Sequence, residues 1–207
     1  MEKKPDGELP YLWVTDFDSD HLKDFYEKFM ELEHTESCPI ITIMISSYGG
    51  EVASLIAMRD MIKSSSKPVA TVALGAAMSC GASLLAAGTK GFRFASKDTD
   101  IMVHEVSGAV RGKSADVTAT SDSMARTNKK LLTNLAHDCG KTYEDVRKQL
   151  QLRKNADWYM TAREAKRFGL IDHVEAPRLI MPQPAFQLMN MGSYDQLVAE
   201  EAAKKKR

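Results

Sequence analysis

Short apolar runs alternate along the chain with stretches whose apolar residues recur every three or four positions. The first pattern is typical of strands buried in a sheet, and the second is typical of amphipathic helices. Strands are predicted at residues 11–15, 39–47, 67–75 and 170–174, with one or two short strands between 88 and 106. Helices are predicted at residues 18–34, 51–63, 79–87, 114–137, 143–150 and 161–169. Because strands and helices alternate, we predict an α/β fold with a parallel sheet built of right-handed βαβ crossovers.

Several helix ends carry local signals. Ser19 or Asp20 is the predicted N-cap of the first helix, because a short polar side chain can accept hydrogen bonds from the free N–H groups there. Thr161 and Glu164 form a predicted capping box, and Gly169 is the predicted end of the same helix. The apolar face of the first helix is predicted at Leu22, Phe25, Phe29 and Leu32. That of the long helix is predicted at Val117, Met124, Leu131 and Leu135.

Composition narrows the classes of function. The 207 residues are 43% hydrophobic and 27% charged, which is enough apolar material for the core of one globular domain. The 28 basic and 28 acidic side chains balance, so no overall field favours nucleic acid. The three cysteines lack the spacing of a disulfide framework or a zinc site. Without a signal peptide or a membrane-spanning run, we expect a cytoplasmic protein that binds no membrane.

The chain divides into three segments. Residues 1–10 form a charged N-terminal extension, and residues 11–174 carry the alternating pattern and form the predicted domain. Residues 175–207 mix Pro, Met and Gln without periodicity and end in a charged run. We therefore expect residues 175–207 to be a loosely ordered C-terminal extension.

One hydroxyl stands at an otherwise apolar junction between a strand and a helix, in TVALGAAMSCGASLLAAG (residues 71–88). Ser79 has two interpretations there. It is either the N-cap of the helix that follows, or a nucleophile exposed on a sharp turn between small neighbours. In the second case, the helix N-terminus and the backbone N–H of Cys80 would face the developing oxyanion.

A serine nucleophile needs a base and an orienting acid. His104 ends an apolar segment and so lies at the carboxyl end of a strand, where open α/β sheets bind ligands. The alternative is a buried, hydrogen-bonded histidine. Asp157 precedes a predicted helix cap and serves either as the acid or as a charge at a helix N-terminus. The pair Gly49 and Gly50 forms either an ordinary turn or a close approach to a substrate. The other histidines are interpreted as surface or structural residues: His21, His34, His137 and His173.

These pieces occur in an order that resembles the ClpP family, the proteolytic subunits of Clp proteases. The similarity rests on four motifs: IMISSYGGEV, GAAMSCGASLLAAGTKGFRF, IMVHEVSG and ADWYMTAREAKRFGLIDHV. It covers residues 11–174. The order serine, histidine, aspartate also differs from the serine, aspartate, histidine order of α/β-hydrolases.

The resemblance implies a role for each candidate residue. Ser79 would be the nucleophile, His104 the general base and then acid, and Asp157 the orienting carboxylate. Gly50 and Cys80 would offer backbone N–H groups to the oxyanion. The implied reaction is hydrolysis of peptide bonds in unfolded polypeptides or peptides through an acyl-enzyme, and it uses no metal or organic cofactor.

The resemblance also implies an architecture and partners. The family fold is a spiral of βαβ units shared with enoyl-CoA hydratases, with a protruding handle helix that corresponds to residues 114–137. The handle joins two heptameric rings into a chamber, which implies a homo-oligomer. The family resemblance separately implies an AAA+ ATPase as a possible partner. Residues 107–116 (SGAVRGKSAD) resemble the glycine-rich strand that pairs with an extended substrate.

Three departures from the family pattern bear on these expectations. Residues 1–10 do not resemble the axial segment associated with ATPase docking. Glu105 and Val106 follow the histidine where the family usually has Gln-Pro, and Trp158 stands where a charged residue is common.

The alternatives to a peptidase are a catalytically idle ring scaffold and an acyl-CoA hydratase or isomerase on the same fold. A viral capsid-maturation protease is a further alternative.

Overall fold

The computed structural model describes residues 11–154 and 156–175, together with the backbone of two later strands. The strands are β1 Tyr11–Val14, β2 Ile41–Ser47, β3 Val69–Met78, β4 Arg93–Ala95, β5 Asp100–Val103, β6 Trp158–Met160, β7 His173–Val174, β8 Arg178–Ile180 and β9 Gln187–Met189. The helices are α1 Ser19–His34, α2 Val52–Ser64, α3 Cys80–Ala87, α4 Ser114–Asp138, α5 Tyr143–Gln151 and α6 Ala162–Phe168.

The long strand β3 lies at the centre of the sheet, whose parallel strand order is β1-β2-β3-β4-β7. The first half of β3 pairs with β4, with Thr71 opposite Arg93, and the second half pairs with β5, with Ala76 opposite Asp100. Gly75 lies between the two halves with φ of +73°, a conformation that glycine adopts without strain. The strand β3 therefore pairs with two neighbouring strands in succession. The predicted α/β fold with a parallel sheet is confirmed.

The prediction that residues 39–47 form a strand buried on both faces is confirmed for β2. Ile41, Ile43 and Ile45 belong to the main apolar core, which the helices cover. Met44 alternates with them and lies in a second cluster on the other face. This second cluster consists of Met44, Val72 and Phe94.

Asp18 caps α1, one residue before Ser19 and two before Asp20. Its backbone is extended (φ −138°, ψ −175°), and its carboxylate accepts a hydrogen bond of 2.8 Å from the backbone N–H of His21. The predicted caps Ser19 and Asp20 were wrong, because both residues already lie inside the helix and a cap must stand outside helical geometry. The apolar face of α1 is confirmed by the burial of Phe25, Phe29 and Leu32.

The helix α6 begins and ends as predicted. Thr161 and Glu164 form a reciprocal capping box, and Gly169 ends the helix in a left-handed conformation with φ of +97°. A Cβ atom at Gly169 would lie 2.5 Å from the carbonyl oxygen of Cys139. Glycine is therefore required here both by the helix end and by close packing against the residue that follows α4.

The predicted handle is the helix α4, whose 25 residues span about 37 Å. Its buried side chains are confined to the last two turns and are Leu132, Leu135 and Ala136. Val117 and Met124, on the predicted apolar face, stay partly exposed. The first part of α4 therefore extends away from the core. None of the helices in the described part of the chain combines the length and the hydropathy needed to cross a bilayer.

The structure differs from the sequence-based expectations in three places. The strand β6, which pairs antiparallel with β5, was not predicted. Residues 107–113 were expected to belong to a glycine-rich strand. They form no strand, because no neighbouring strand of the chain pairs with them, and residues 114–116 begin α4. The strands β8 and β9 form an antiparallel pair within the C-terminal extension. The N-terminal extension and the rest of the C-terminal one lie outside the described residues.

Two sets of ion pairs connect α2 to α4 and β4 to the segment before β7. Arg59 and Lys63 of α2 both contact the carboxylate of Asp138 at the end of α4. Arg93 of β4 forms a two-point contact with Asp172, with N–O distances of 2.8 and 2.7 Å, and donates to the backbone carbonyl of Asp138 at 2.9 Å. The two sets therefore meet at Asp138 and join α2, α4, β4 and the segment before β7.

The ionisation of Asp172 couples this network to pH. Burial alone would raise the pKa of Asp172, but the hydrogen bonds and the charge of Arg93 outweigh it and lower the pKa from its ordinary value of 3.8. Since the folded-state pKa lies below the unfolded-state value, the stabilisation is complete above about pH 4 and is lost as the pH falls through the folded-state pKa.

We expect Asp172→Asn to lower the free energy of unfolding at about pH 7 by about 3 kcal/mol, because the buried guanidinium of Arg93 loses its counter-charge. The difference from the wild type should shrink at about pH 3.5, because the carboxylate becomes protonated in the unfolded wild-type chain at this pH. Urea unfolding followed by circular dichroism at both pH values measures this. Asp98→Asn is the matched control, because Asp98 and its partner Lys97 are exposed and a surface pair contributes about 0.5 kcal/mol or less. Equal losses in the two variants would contradict the expectation.

Candidate active site

Ser79 occupies the tight turn between β3 and α3. Its backbone (φ +54°, ψ −115°) lies where non-glycine residues are rarely found, and such strain costs on the order of 1–3 kcal/mol. The N–H of Ser79 donates to the carbonyl of Met102 at 2.8 Å, which ties the turn to β5. Ser79 stands at the N-cap position of α3, but its side chain accepts no capping hydrogen bond. The structure therefore does not support a capping role for its hydroxyl.

His104 contacts the Ser79 hydroxyl directly, with 2.7 Å between Nε2 and Oγ. The strand β5 runs parallel to β3, with Met102 opposite Met78, so the chain leaves β5 beside the turn that carries Ser79. The His104 side chain is 26% exposed. A neutral imidazole with an unprotonated Nε2 can accept a hydrogen bond from the hydroxyl and then take its proton.

Asp157 lies on the other side of the His104 ring. The strands β5 and β6 pair antiparallel with Val103 opposite Trp158, so the next residues outward, His104 and Asp157, come together. The Oδ1 atom of Asp157 is 3.6 Å from Nδ1 of His104, and the Asp157 side chain is 47% exposed. This separation is within ion-pair range and longer than a hydrogen bond. The structure thus brings Ser79, His104 and Asp157 into one line of contacts.

The glycine pair after β2 packs against the serine turn. Gly49 (φ +114°) has no room for a side chain, because a Cβ atom would lie 2.8 Å from Cβ of Ser79 and 3.1 Å from its Oγ. Gly50 (φ +153°) approaches Phe17 equally closely, and a Cβ there would lie 2.6 Å from the Phe17 carbonyl oxygen. Both positions require glycine for close approach as well as for backbone conformation.

A cleft of about 530 Å³, open to solvent, lies beside Ser79 and His104. Gly50 and Cys80 line it together with Ser79. One wall is aliphatic and consists of Val52, Leu55, Leu131, Leu132 and Leu135. Leu131, Leu132 and Leu135 come from α4, so the long helix shapes the cleft.

Asn128 of α4 holds the segment that follows His104. Its Oδ1 accepts a hydrogen bond of 3.0 Å from the backbone N–H of Val106, and its Nδ2 donates to Oε1 of Glu105 at 3.2 Å. Sequence reasoning did not identify Asn128, since a polar residue on an amphipathic helix carries no signal that it faces a loop more than 20 residues earlier. Glu105 was noted only as a departure from the family pattern.

The other four histidines lie outside the cleft. The ring of His21 contacts the carboxylate of Asp18 at 2.9 Å, and this hydrogen bond raises the pKa of His21. His34 contacts a backbone carbonyl of its own helix, His137 is largely exposed, and His173 stacks on Phe94. Their interpretation as surface or structural residues is confirmed. Within the described residues, no group of three or more His, Cys, Asp or Glu side chains is arranged to hold a metal ion.

Comparison with known proteins shows the family to which this chain belongs. A model of the Clp protease family matches residues 12–178. The chain belongs to the Clp protease family. It is similar to the ATP-dependent Clp protease proteolytic subunit 2 of Corynebacterium glutamicum, with 38% identity over 134 residues. The matched segment spans 65% of this chain and 65% of the length of that relative.

In this member of the Clp protease family, the residue after Ser79 makes a contact that sequence reasoning missed. The thiol of Cys80 donates to the carbonyl oxygen of Gly50 at 3.3 Å. Burial raises the pKa of Cys80, so the thiol stays protonated and can act as this donor. The contact ties the glycine turn to the first residue of α3. No local pattern could have predicted a bond between residues 30 positions apart.

We expect Gly49→Ala to slow the modification of Ser79 by a fluorophosphonate probe by at least about tenfold. The new Cβ would displace Ser79 from His104, and misplacement of a reacting group by about 1 Å can cost on the order of 100-fold in rate. Intact-mass spectrometry over time gives the rate. Gly91→Ala is the control, because Gly91 also has a positive φ of +92° but a Cβ there would have no neighbour within 4 Å. Equal rates in the two variants would show that the contact at Gly49 does not matter.

Proposed function

We propose that the protein is a serine endopeptidase of the ClpP type, which hydrolyses peptide bonds of unfolded polypeptides or peptides through an acyl-enzyme. One observation carries the proposal. The hydroxyl of Ser79, on a strained turn that offers it no capping bond, lies 2.7 Å from Nε2 of His104. Such a contact between a nucleophile and a base is the requirement for serine catalysis. An acyl-CoA hydratase or isomerase on this fold would have no need of it.

The three residues act in turn in the proposed reaction. His104 accepts the hydroxyl proton while Oγ of Ser79 attacks the peptide carbonyl carbon. It then gives this proton to the leaving amine, and the acyl-enzyme remains. Water, deprotonated by His104, releases the acid and restores the serine. Asp157 orients the imidazole and stabilises its charged form.

Two backbone N–H groups, of Gly50 and Cys80, would stabilise the tetrahedral oxyanion. They border the cleft next to Ser79, and Cys80 stands at the N-terminus of α3, where N–H groups have no partner inside the helix. The hydrogen bond from the Cys80 thiol to the Gly50 carbonyl connects the two residues that carry these donors. Because this bond fixes one donor relative to the other, the oxyanion site is preorganised.

We expect Ser79→Ala and His104→Ala each to lower kcat for a fluorogenic peptide by on the order of 10⁴-fold or more, because each removes a member of a unit that acts together. Asp157→Asn should retain more activity than either, since the 3.6 Å contact is not a full hydrogen bond. Peptide hydrolysis and labelling by a fluorophosphonate probe, with peptide mapping of the adduct, measure this.

Asp98→Asn is a suitable control for these variants, because Asp98 is an exposed acid of the loop between β4 and β5. A single adduct on Ser79 that is lost in Ser79→Ala and strongly slowed in His104→Ala would support the peptidase. An assembled preparation that gives no adduct would instead favour the idle scaffold.

The exposed part of α4 supports the proposal that this chain works as a homo-oligomer, in a heptameric ring or a double ring. A helix that extends from the core with partly exposed apolar residues, such as Val117 and Met124, is suited to contact a second copy. The relative from Corynebacterium glutamicum is named as a subunit. An AAA+ ATPase partner stays a prediction, because residues 1–10 lie outside the described residues.

We expect the full chain to sediment as an assembly several times the 23.0 kDa mass of one copy. Hydrolysis per chain should fall on dilution in parallel with dissociation, because α4 contributes both to the cleft wall and to the proposed contact. Sedimentation velocity and activity at matched concentrations measure this. A monomer with full activity would contradict it.

A further inference from the structure

Glu105 places one carboxylate in the wall of the cleft beside the proposed nucleophile. It follows His104 directly, and its side chain is held by Asn128 of α4 through Oε1 at 3.2 Å. Asn128 is itself fixed by the backbone N–H of Val106 at 3.0 Å. The carboxylate is therefore oriented by a second element of the fold rather than left to sample the solvent.

The cleft offers this carboxylate no counter-charge. Apart from Glu105, none of the described residues that line the cleft is Asp, Glu, Lys or Arg. Glu105 is half-buried, and partial burial strengthens its attraction for a cation that enters the cleft. The cleft thus presents one negative charge to whatever side chain occupies it.

The cleft wall also has an aliphatic part. It is formed by Val52, Leu55, Leu131, Leu132 and Leu135. A lysine or arginine side chain combines a long apolar stem with a cationic head, and it can pack the stem on such a wall while the head reaches a carboxylate. An acidic side chain would be repelled, and a purely aliphatic one would desolvate Glu105 without supplying a counter-charge.

We propose that Glu105 makes the cleft selective for lysine or arginine in the residue whose carbonyl Ser79 attacks. The inference rests on the proposed peptidase function and adds to it the class of substrate side chain. It assigns to Glu105 a role in specificity that is separate from the chemistry of His104 and Asp157.

The test compares two peptide substrates that differ only in the ammonium group, with lysine or norleucine before a fluorogenic amide. We expect the wild type to favour lysine in kcat/KM. Glu105→Gln should lower the ratio of lysine to norleucine by about tenfold or more, because a hydrogen bond between charged groups is replaced by one to a neutral amide. An unchanged ratio in Glu105→Gln, or a wild-type preference for norleucine, would overturn the proposal.

The substitution also separates specificity from a structural role. Glutamine keeps an oxygen that can accept the hydrogen bond from Asn128, so a residue that merely holds the loop would leave the ratio of the two substrates unaltered. Glu27→Gln is the matched control, because Glu27 is an exposed acid of α1 outside the cleft. Its ratio should equal that of the wild type.

Active sites are counted with the fluorophosphonate probe before each assay. Labelling of Ser79 without a lysine preference would overturn this inference and leave the peptidase function standing. An assembled preparation without any adduct on Ser79 would overturn both.

Discussion

The pairing of β5 between β3 and β6 is the constraint on which the rest of the site depends. Parallel pairing with β3 ends the strand beside the Ser79 turn, and antiparallel pairing with β6 brings Asp157 to the residue after Val103. The backbone bond from Ser79 to Met102 belongs to the same contact. Backbone hydrogen bonds of a sheet have little freedom in direction, so the register of one strand determines three side-chain positions.

The strained conformation of Ser79 persists because its surroundings leave no alternative. Gly49 packs on one side without space for a side chain, and the Met102 carbonyl holds the N–H on the other. The next residue, Cys80, is buried and bonded to Gly50. Strain of this kind survives where the neighbouring structure over-determines it, and it points the hydroxyl at His104 rather than at the helix N-terminus.

Charge is distributed differently inside the fold and at the cleft. The buried carboxylates of Asp138 and Asp172 each contact one or more cationic side chains, which offsets the cost of taking them out of water. In the cleft, Glu105 is held by the neutral amide of Asn128. The interior carboxylates thus have counter-charges, whereas Glu105 has none among the described residues that line the cleft. The helix α4 takes part in both, since its end carries Asp138 and its middle carries Asn128.

The sequence by itself determined the order of the main elements and the candidate residues. The periodicity of apolar positions predicted β2, β3 and the six helices, and ordered motifs pointed to Ser79, His104 and Asp157, whose roles stay proposals. Short signals were less reliable: the capping box of α6 was correct, the caps of α1 were displaced by one or two residues, and the three residues of β6 were too few to show a pattern. Only the tertiary structure decided three contacts: the 3.6 Å separation of His104 from Asp157, the hydrogen bond from the Cys80 thiol to Gly50, and the hydrogen bond from Asn128 to Glu105. Periodicity and capping are written in neighbouring residues, whereas these contacts depend on strand register and helix packing between distant parts of the chain.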